Sequence, residues 1–330
     1  MKRREFVLAS LAAASGSPGT VFAQTPKSLK RVGWITSAPT NAMTNQPLNT
    51  AFENRLRELG WIEGRAIEFL RHGGLENDQG RVEAAVRALV AAKVDLIFAP
   101  FGPHAIAARK LTREIPIVFA IIGDPVSGGL ADSMARPGGN ATGPSTQEHQ
   151  LLAPRLQILR EAVPTIRRVA VLMNPDVDWN VARTKSLAEV CATLGLKSGP
   201  VPVRRREDFG PAIEQAVRER ADALLHMPDG FYFANRRALV ELVGRTRLAA
   251  TYTNPEYVDD GGLMAYAIDI PEVMRKAAGY VDKILRGAKP GDLPVEQASR
   301  FEFVVNLKTA KAQEFKIPQS VLLRATRVIE

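Results

Sequence analysis

Apolar and polar positions along this 330-residue chain fall into two alternating patterns: short continuous apolar runs, and longer stretches in which apolar residues return every three or four positions. After a linker from Thr25 to Lys30, Arg31-Val32-Gly33-Trp34-Ile35 reads as a strand and Leu48 to Leu59 as an amphipathic helix closed by Gly60. The alternation continues with strand Ala66 to Leu70, helix Gly80 to Ala92, strand Val94 to Ala99, helix Pro103 to Thr112 and strand Pro116 to Ile122. Strands separated by helices of this length imply parallel βαβ units with right-handed crossovers. Beyond Gly143 the pattern restarts. It gives helices over Leu151 to Ala162, Trp179 to Leu194, Phe209 to Arg218 and Ala234 to Thr246. Between them lie strands over Arg168 to Met173, Lys197 to Val203, Ala223 to Met227 and Ala249 to Thr253. Leu263 to Ala267 adds a short strand, and Pro271 to Leu285 a helix whose early Pro sits where a missing donor costs nothing. The fold class expected is α/β, with two doubly wound parallel-sheet lobes joined near Gly139 to Gly143.

The length agrees, since 330 residues exceed the roughly 250–300 at which one hydrophobic core stops growing. A hydrophobic fraction of 45% is enough for two cores, and no internal apolar run approaches the roughly 20 residues needed to span a bilayer. The amino terminus differs from the rest. Lys2, Arg3 and Arg4 precede the apolar segment Phe6 to Ala14 and the small-residue end Val21-Phe22-Ala23, which is the pattern of a secretory signal peptide over residues 1–23. Arg3-Arg4 followed by Glu5, Phe6, Val7 and Leu8 also resembles a twin-arginine export signal, with Sec export the alternative.

The formal charge is +9, and removal of Lys2, Arg3, Arg4 and Glu5 lowers it by two, to +7. Such a balance invites a nucleic-acid reading. Against it, the cluster Arg204-Arg205-Arg206 runs straight into Glu207 and Asp208, and no basic stretch is interleaved with aromatics, so a solvated face is expected. Cys191 is the single cysteine, which leaves no internal disulfide and assigns it a buried apolar role. The histidines His72, His104, His149 and His226 lack the spacing of a metal site. No Gly-x-Ser-x-Gly elbow, phosphate loop or full dinucleotide fingerprint is present, so neither catalysis nor a cofactor is expected.

Open α/β sheets place ligands outside the carboxyl ends of their strands. In the first half those positions are Thr36, Ser37 and Asn41, then Phe101, Gly102 and His104, then Gly123 and Asp124. In the second half they are Asn174 and Asp176, then Asp229 and Phe231, then Tyr252, Asn254 and Tyr257, with Thr146 just past the crossover. The turn from Phe101 to His104 opens a helix, where free backbone donors can hold an anion; the bland reading makes it a helix start with a solvated histidine. Asp124 offers a charge to a ligand amine or simply opens the turn before Pro125, and Asn174 before Pro175 has the same two readings. Phe231, Tyr252 and Tyr257 are expected as flat pocket walls or as core. Trp34 and Trp61 are assigned to packing.

The run Gly123-Asp124-Pro125-Val126-Ser127-Gly128-Gly129-Leu130, closing with Arg136-Pro137-Gly138-Gly139-Asn140-Ala141-Thr142-Gly143, resembles one family. This is the periplasmic substrate-binding proteins of ATP-binding-cassette importers, in the group that includes the tryptophan-binding proteins. The resemblance extends to Glu58-Leu59-Gly60-Trp61-Ile62-Glu63-Gly64-Arg65, to Arg167 through Pro175, to Tyr280 through Pro290, to Asp292 through Gln297, and to Phe301 through Ala312 with Ile317-Pro318. Phe101 and His104 depart from the small Gly-Thr-Pro type turn usual there.

The resemblance implies a type I periplasmic-binding fold with a multi-strand hinge, in which helix Pro271 to Leu285 returns to the first lobe. Lobe I would then comprise 30–142 with 268–290, and lobe II 143–267 with 291–330. It further implies a periplasmic protein that closes its lobes on a small ligand, amino acids, aromatic ones among them, being the first to test. The captured ligand would pass to a membrane permease, with no cofactor and no nucleic acid involved. An enzyme on the same architecture and a ligand-sensing domain are the alternatives, because fold alone does not fix activity.

Overall fold

The computed structural model describes residues 29–36, 47–75, 78–176 and 178–330. The signal-peptide segment, Ser37 and Asn41 lie outside them.

The first sheet is built from β1 (Lys30–Ile35), β2 (Ile67–His72), β3 (Leu96–Phe98), β4 (Ile117–Val118) and β5 (Ala141–Thr142). They run in the order β2-β1-β3-β4-β5, and every pairing is parallel. Helices α1 (Pro47–Glu58), α2 (Gln79–Ala91) and α3 (Gly102–Leu111) connect them. Asp78 starts α2 by accepting the Arg81 N–H at 3.0 Å, which satisfies one of the donors a helix start leaves open.

The chain then enters the second sheet through α4 (Leu152–Ala162). Its strands are β6 (Arg168–Met173), β7 (Lys197–Pro202), β8 (Ala223–His226), β9 (Ala249–Tyr252), β10 (Met264–Ile268), β11 (Phe301–Asn306) and β12 (Arg327–Ile329). The helices are α5 (Asp178–Thr193), α6 (Phe209–Arg218), α7 (Gly230–Ala234), α8 (Arg236–Gly244), α9 (Pro255–Asp259), α10 (Ile270–Leu285), α11 (Leu307–Ala312) and α12 (Gln319–Leu322). The order is β12-β11-β10-β9-β8-β6-β7. The stretch β7-β6-β8-β9-β10 therefore repeats the first sheet's topology, second strand outside the first and the rest on its other side. The expectation of two parallel sheets needs one correction. β11 is antiparallel to β10, with Tyr266 opposite Phe303, and β12 then pairs parallel to β11.

Helix α10 leaves β10 in the second lobe and packs on the first. Val273, Met274, Ala277 and Val281 share a core with Val32, Trp34, Phe52, Leu56 and Phe98. Trp34 meets Phe52 and Phe98 edge-on at 5.1 and 5.3 Å, and those two rings stack at 4.0 Å. Trp61 is a packing residue whose indole N–H donates to Asp282 on α10 at 2.8 Å. The first lobe is thus completed by residues distant in sequence. The return passage also stays longer with the first lobe than residue 290, because Val295 is buried in that lobe's other core and Thr142 Oγ1 donates to Leu293 O at 2.7 Å.

Gly143 marks where the chain leaves β5. Its φ is +148°, and a Cβ there would lie 2.1 Å from Phe119 O, so no side chain fits.

Candidate functional site

Each sheet has its topological switch point between its first and third strands in chain order, β1 and β3 in one lobe, β6 and β8 in the other. The chain leaves the first sheet at the carboxyl end of β5 and the second at the carboxyl end of β10, with short passages between. The carboxyl ends of both parallel sheets, and with them both switch points, therefore lie on the side of the passages.

On the first-lobe side Thr36 is buried, its N–H donating to His72 O at 3.0 Å. Phe101 is half-buried and immediately precedes α3 with extended backbone, its ring edge-on to His104 at 5.9 Å. Gly102 is buried beside it, where an added Cβ would make only ordinary contact with Ile122. His104 is buried rather than solvated, and lines a groove between α2 and α3 of about 220 Å³ with Val82, Ile106 and Lys110. Asp124 serves its turn: Oδ1 accepts the N–H groups of Val126 and Ser127 at 3.1 and 3.0 Å, and Oδ2 accepts Ser127 Oγ at 2.7 Å. Gly123 beside it is half-buried with open space around its Cα.

On the second-lobe side Asn174 is half-buried and closes its own turn, Oδ1 accepting the Asp176 N–H at 3.1 Å. Asp176 is exposed and pairs with Arg204 at 3.2 Å. Asp229 starts α7 by accepting the Phe231 N–H at 2.8 Å through Oδ1, while Oδ2 is buried. Phe231 is half-buried and stacks on Phe209 at 5.6 Å. Asn254 is half-buried and accepts from Thr253 Oγ1 at 2.8 Å. Thr146 is buried in the passage, with N and Oγ1 both donating to Ile122 O at 2.8 and 3.0 Å, so it anchors the passage and offers no free face.

Tyr252 and Tyr257 are corrected from pocket walls to core. Both are buried in the second lobe's own apolar cluster, stacked on each other at 4.9 Å. Gly262 presses on them, since a Cβ there would lie 2.6 Å from Tyr252 Cε2. Burial raises the phenol pKa of both.

Sequence reasoning passed over the residue these rings surround. His226 ends β8 with no solvent exposure, and its ring lies 4.8, 5.3 and 5.9 Å from Tyr257, Tyr232 and Tyr252. Burial drives its pKa down to about 3, opposed by the Met227 carbonyl and reinforced by the charge of Arg155. Nδ1 lies 3.1 Å from Met227 O, which suits a neutral ring donating from that nitrogen. Arg155 was also missed. Its guanidinium is fully buried, Nε donating to Tyr266 O at 2.7 Å and Nη2 to Thr253 O at 3.3 Å, with Glu148 as its counter-ion. The legible signal was a cation on the apolar stripe Leu152, Leu156 and Leu159 of α4.

Among the described residues no group of acidic, histidine and cysteine side chains is placed to hold a metal ion, and no helix is long and apolar enough to cross a membrane.

Comparison with known proteins agrees with this architecture. Residues 47–329 match the family described as ABC transporter substrate binding protein. A tyrosine-binding protein of Clostridioides difficile (strain R20291) is 24% identical over 265 residues, covering 80% of this chain and 76% of that protein. A domain from Streptococcus pneumonia solved in complex with L-Trp is 22% identical, covering 92% of this chain and all of the other (100%), with a TM-score of 0.79. The ligand-free, open structure of a substrate binding protein with adhesive properties from Clostridium difficile is 22% identical, covering 91% of this chain and 99% of that one, with a TM-score of 0.73. With two sheets of matched topology and a family match over nearly the whole described chain, this protein belongs to the ABC transporter substrate-binding protein family.

Proposed function

We propose that this protein works outside the cytoplasm, captures a small solute between its lobes and hands it to the permease of an ATP-binding-cassette importer. The observation that carries the reading is the arrangement of the sheets. Two switch points of the same topology lie on the side of the passages, so a ligand held between them contacts both lobes. A ligand with differential contacts in an open and a closed arrangement shifts the balance between them, and the closed form gives a membrane partner something to recognise. The secretory pattern of residues 1–23 supports the location. Capture requires no covalent step and no cofactor.

An aromatic amino acid is the proposed ligand class, supported by relatives that bind tyrosine and L-Trp. The residues proposed to face it are Thr36, Ser37, Phe101, Gly102 and Gly123 from one lobe, and Asn174, Asp229, Phe231 and Asn254 from the other. Half-buried Phe101 and Phe231 supply flat apolar surface, and the amides and carboxylate fix orientation. Thermal-shift screening against amino acids, aromatic acids, small carboxylates and sugars tests the reading, because whatever binds only the native state raises Tm. A hit confirmed by calorimetry with one-to-one stoichiometry is expected. A compound that is consumed rather than bound, with no ligand raising Tm, would overturn it.

A further inference from the structure

The passages between the lobes are tied down on both sides. On the first-lobe side, Thr146 N–H and Ser145 Oγ donate to Ile122 O at 2.8 and 3.0 Å. Ser145 N–H donates to Glu296 O, and Ala298 N–H to Ser145 O, both at 2.8 Å. On the second-lobe side, Arg155 gathers Glu148, Tyr266 and Thr253, and the Tyr266 ring stacks on Phe301 at 5.5 Å. Little is left between the two sets of anchors. The first passage has Gln147, between Thr146 and Glu148. The second has Asp269, between β10 and α10. The third has Ser299 and Arg300, between Ala298 and Phe301. Asp269 N–H donates to Arg300 O at 3.0 Å, which ties the last two together.

Gln147 stands out by its backbone. Four described non-glycine residues have positive φ: Lys93, Gln147, Arg220 and Glu314. Lys93, Arg220 and Glu314 each stand just past the cap of a helix, α2, α6 and α11, where a left-handed residue is the ordinary way to stop. Gln147 follows no helix, and its φ of +43° lies in a passage clamped at the residue before it and the residue after. A left-handed glutamine is costly, and surrounding contacts must impose it.

We propose that Gln147 is the pivot of lobe closure and that its left-handed backbone sets the balance between the described arrangement and a second one in which that strain is released. The inference rests on the capture reading above for its role, and it places control of affinity at a residue outside the set proposed to face the ligand. Glycine at 147 tolerates the left-handed region and favours the described arrangement. Proline at 147 locks φ near −65° and favours the other.

The test uses the protein with one spin label on each lobe, at R87C on α2 and E214C on α6. Both positions are exposed, and the native Cys191 is buried. Electron-electron distance distributions are recorded without ligand for the parent, Gln147→Gly and Gln147→Pro. The expected result is two distances whose populations move in opposite directions in the two variants, by about fivefold each. In titrations with L-tryptophan and L-tyrosine, Kd is then expected to depart from the parent value in opposite directions as well. A residue that is only structural changes Tm without moving either readout in opposite senses. Where Gln147→Pro does not fold, Gln147→Val, whose branched side chain also disfavours the left-handed region, takes its place. Unchanged or same-direction distances overturn the pivot. If ligands bind and draw the parent's lobes together while both variants match it, the pivot falls and capture stands. If no compound in the wider screen binds while the populations still move oppositely, capture falls and the pivot stands.

Discussion

His226 gives the protein a defined acid sensitivity. The ring is fully buried among Tyr232, Tyr252 and Tyr257, and its pKa is held at about 3 against an ordinary value of 6.5. The folded pKa is depressed, so below pH 6.5 the unfolded chain binds a proton that the folded chain refuses. The stability contributed by keeping the ring neutral is present above pH 6.5 and is lost as the pH falls toward 3. At about 1.4 kcal/mol per pH unit, His226 alone removes about 2 kcal/mol between pH 7.5 and pH 5, with an upper bound of about 5 kcal/mol over the whole window. Replacement by phenylalanine keeps an aromatic ring in the aromatic site and removes the titration. The assay is urea unfolding of parent and His226→Phe at half-unit steps from pH 7.5 to pH 5. Carboxylates shared by the two proteins cancel in the difference between their unfolding free energies. That difference is expected to shift toward the variant by about 2 kcal/mol as the pH falls. A difference that stays constant to within about 0.5 kcal/mol across the range would falsify the claim that the ring is buried and neutral.

Gly143→Ala is expected to destabilise by about 3 kcal/mol or more, because its φ of +148° and the 2.1 Å approach to Phe119 O forbid a side chain; an unchanged Tm in differential scanning calorimetry would refute this. Arg155→Met removes a buried cation that satisfies two carbonyls and a carboxylate, and is expected to cost about 3 kcal/mol in denaturant unfolding, with Arg155→Lys recovering only part because an ammonium lacks the planar fork. Phe101→Ala is expected to weaken binding of whichever compound emerges from the Tm screen by tenfold or more while leaving Tm of the free protein near the parent value; equal affinities in calorimetry would remove Phe101 from the pocket.

Much of the fold was legible because its elements are long and periodic. The helices Phe209–Arg218 and Ile270–Leu285 and the strands Arg168–Met173 and Ala249–Tyr252 stand at or within a residue of the positions their apolar patterns indicate. The short elements were not legible. Helices Gly230–Ala234 and Pro255–Asp259 are barely one turn long, and strand Arg327–Ile329 has three residues, too few for any period to register. The apolar run from Pro116 to Ile122 promised a long strand, yet only Ile117–Val118 pair in the ladder. Beyond them the N–H groups of Ala120 and Ile121 both donate to Pro100 O, which takes the chain out of the ladder. At the candidate site the carboxyl-end rule picks out loops but could not say which way a ring points. Phe231 stays half-buried, whereas Tyr252 at the end of β9 falls on the strand face covered by the aromatic cluster, and Tyr257 turns into the same cluster from the buried side of the helix Pro255–Asp259. Gln147 carries no mark in its sequence, since its strain is imposed by contacts on either side of it.

The late return of the helix Ile270–Leu285 to the first lobe governs how the chain matures during synthesis. Until residue 285 has emerged, Trp34, Phe52, Leu56 and Phe98 lack the cover this helix supplies, so the amino-terminal half waits with an incomplete core while the second half assembles beside it. Any ribosomal stall or proteolytic nick before that point strands the nascent polypeptide with part of its first aromatic core bare, which makes the last fifth of translation a step at which aggregation competes with completion.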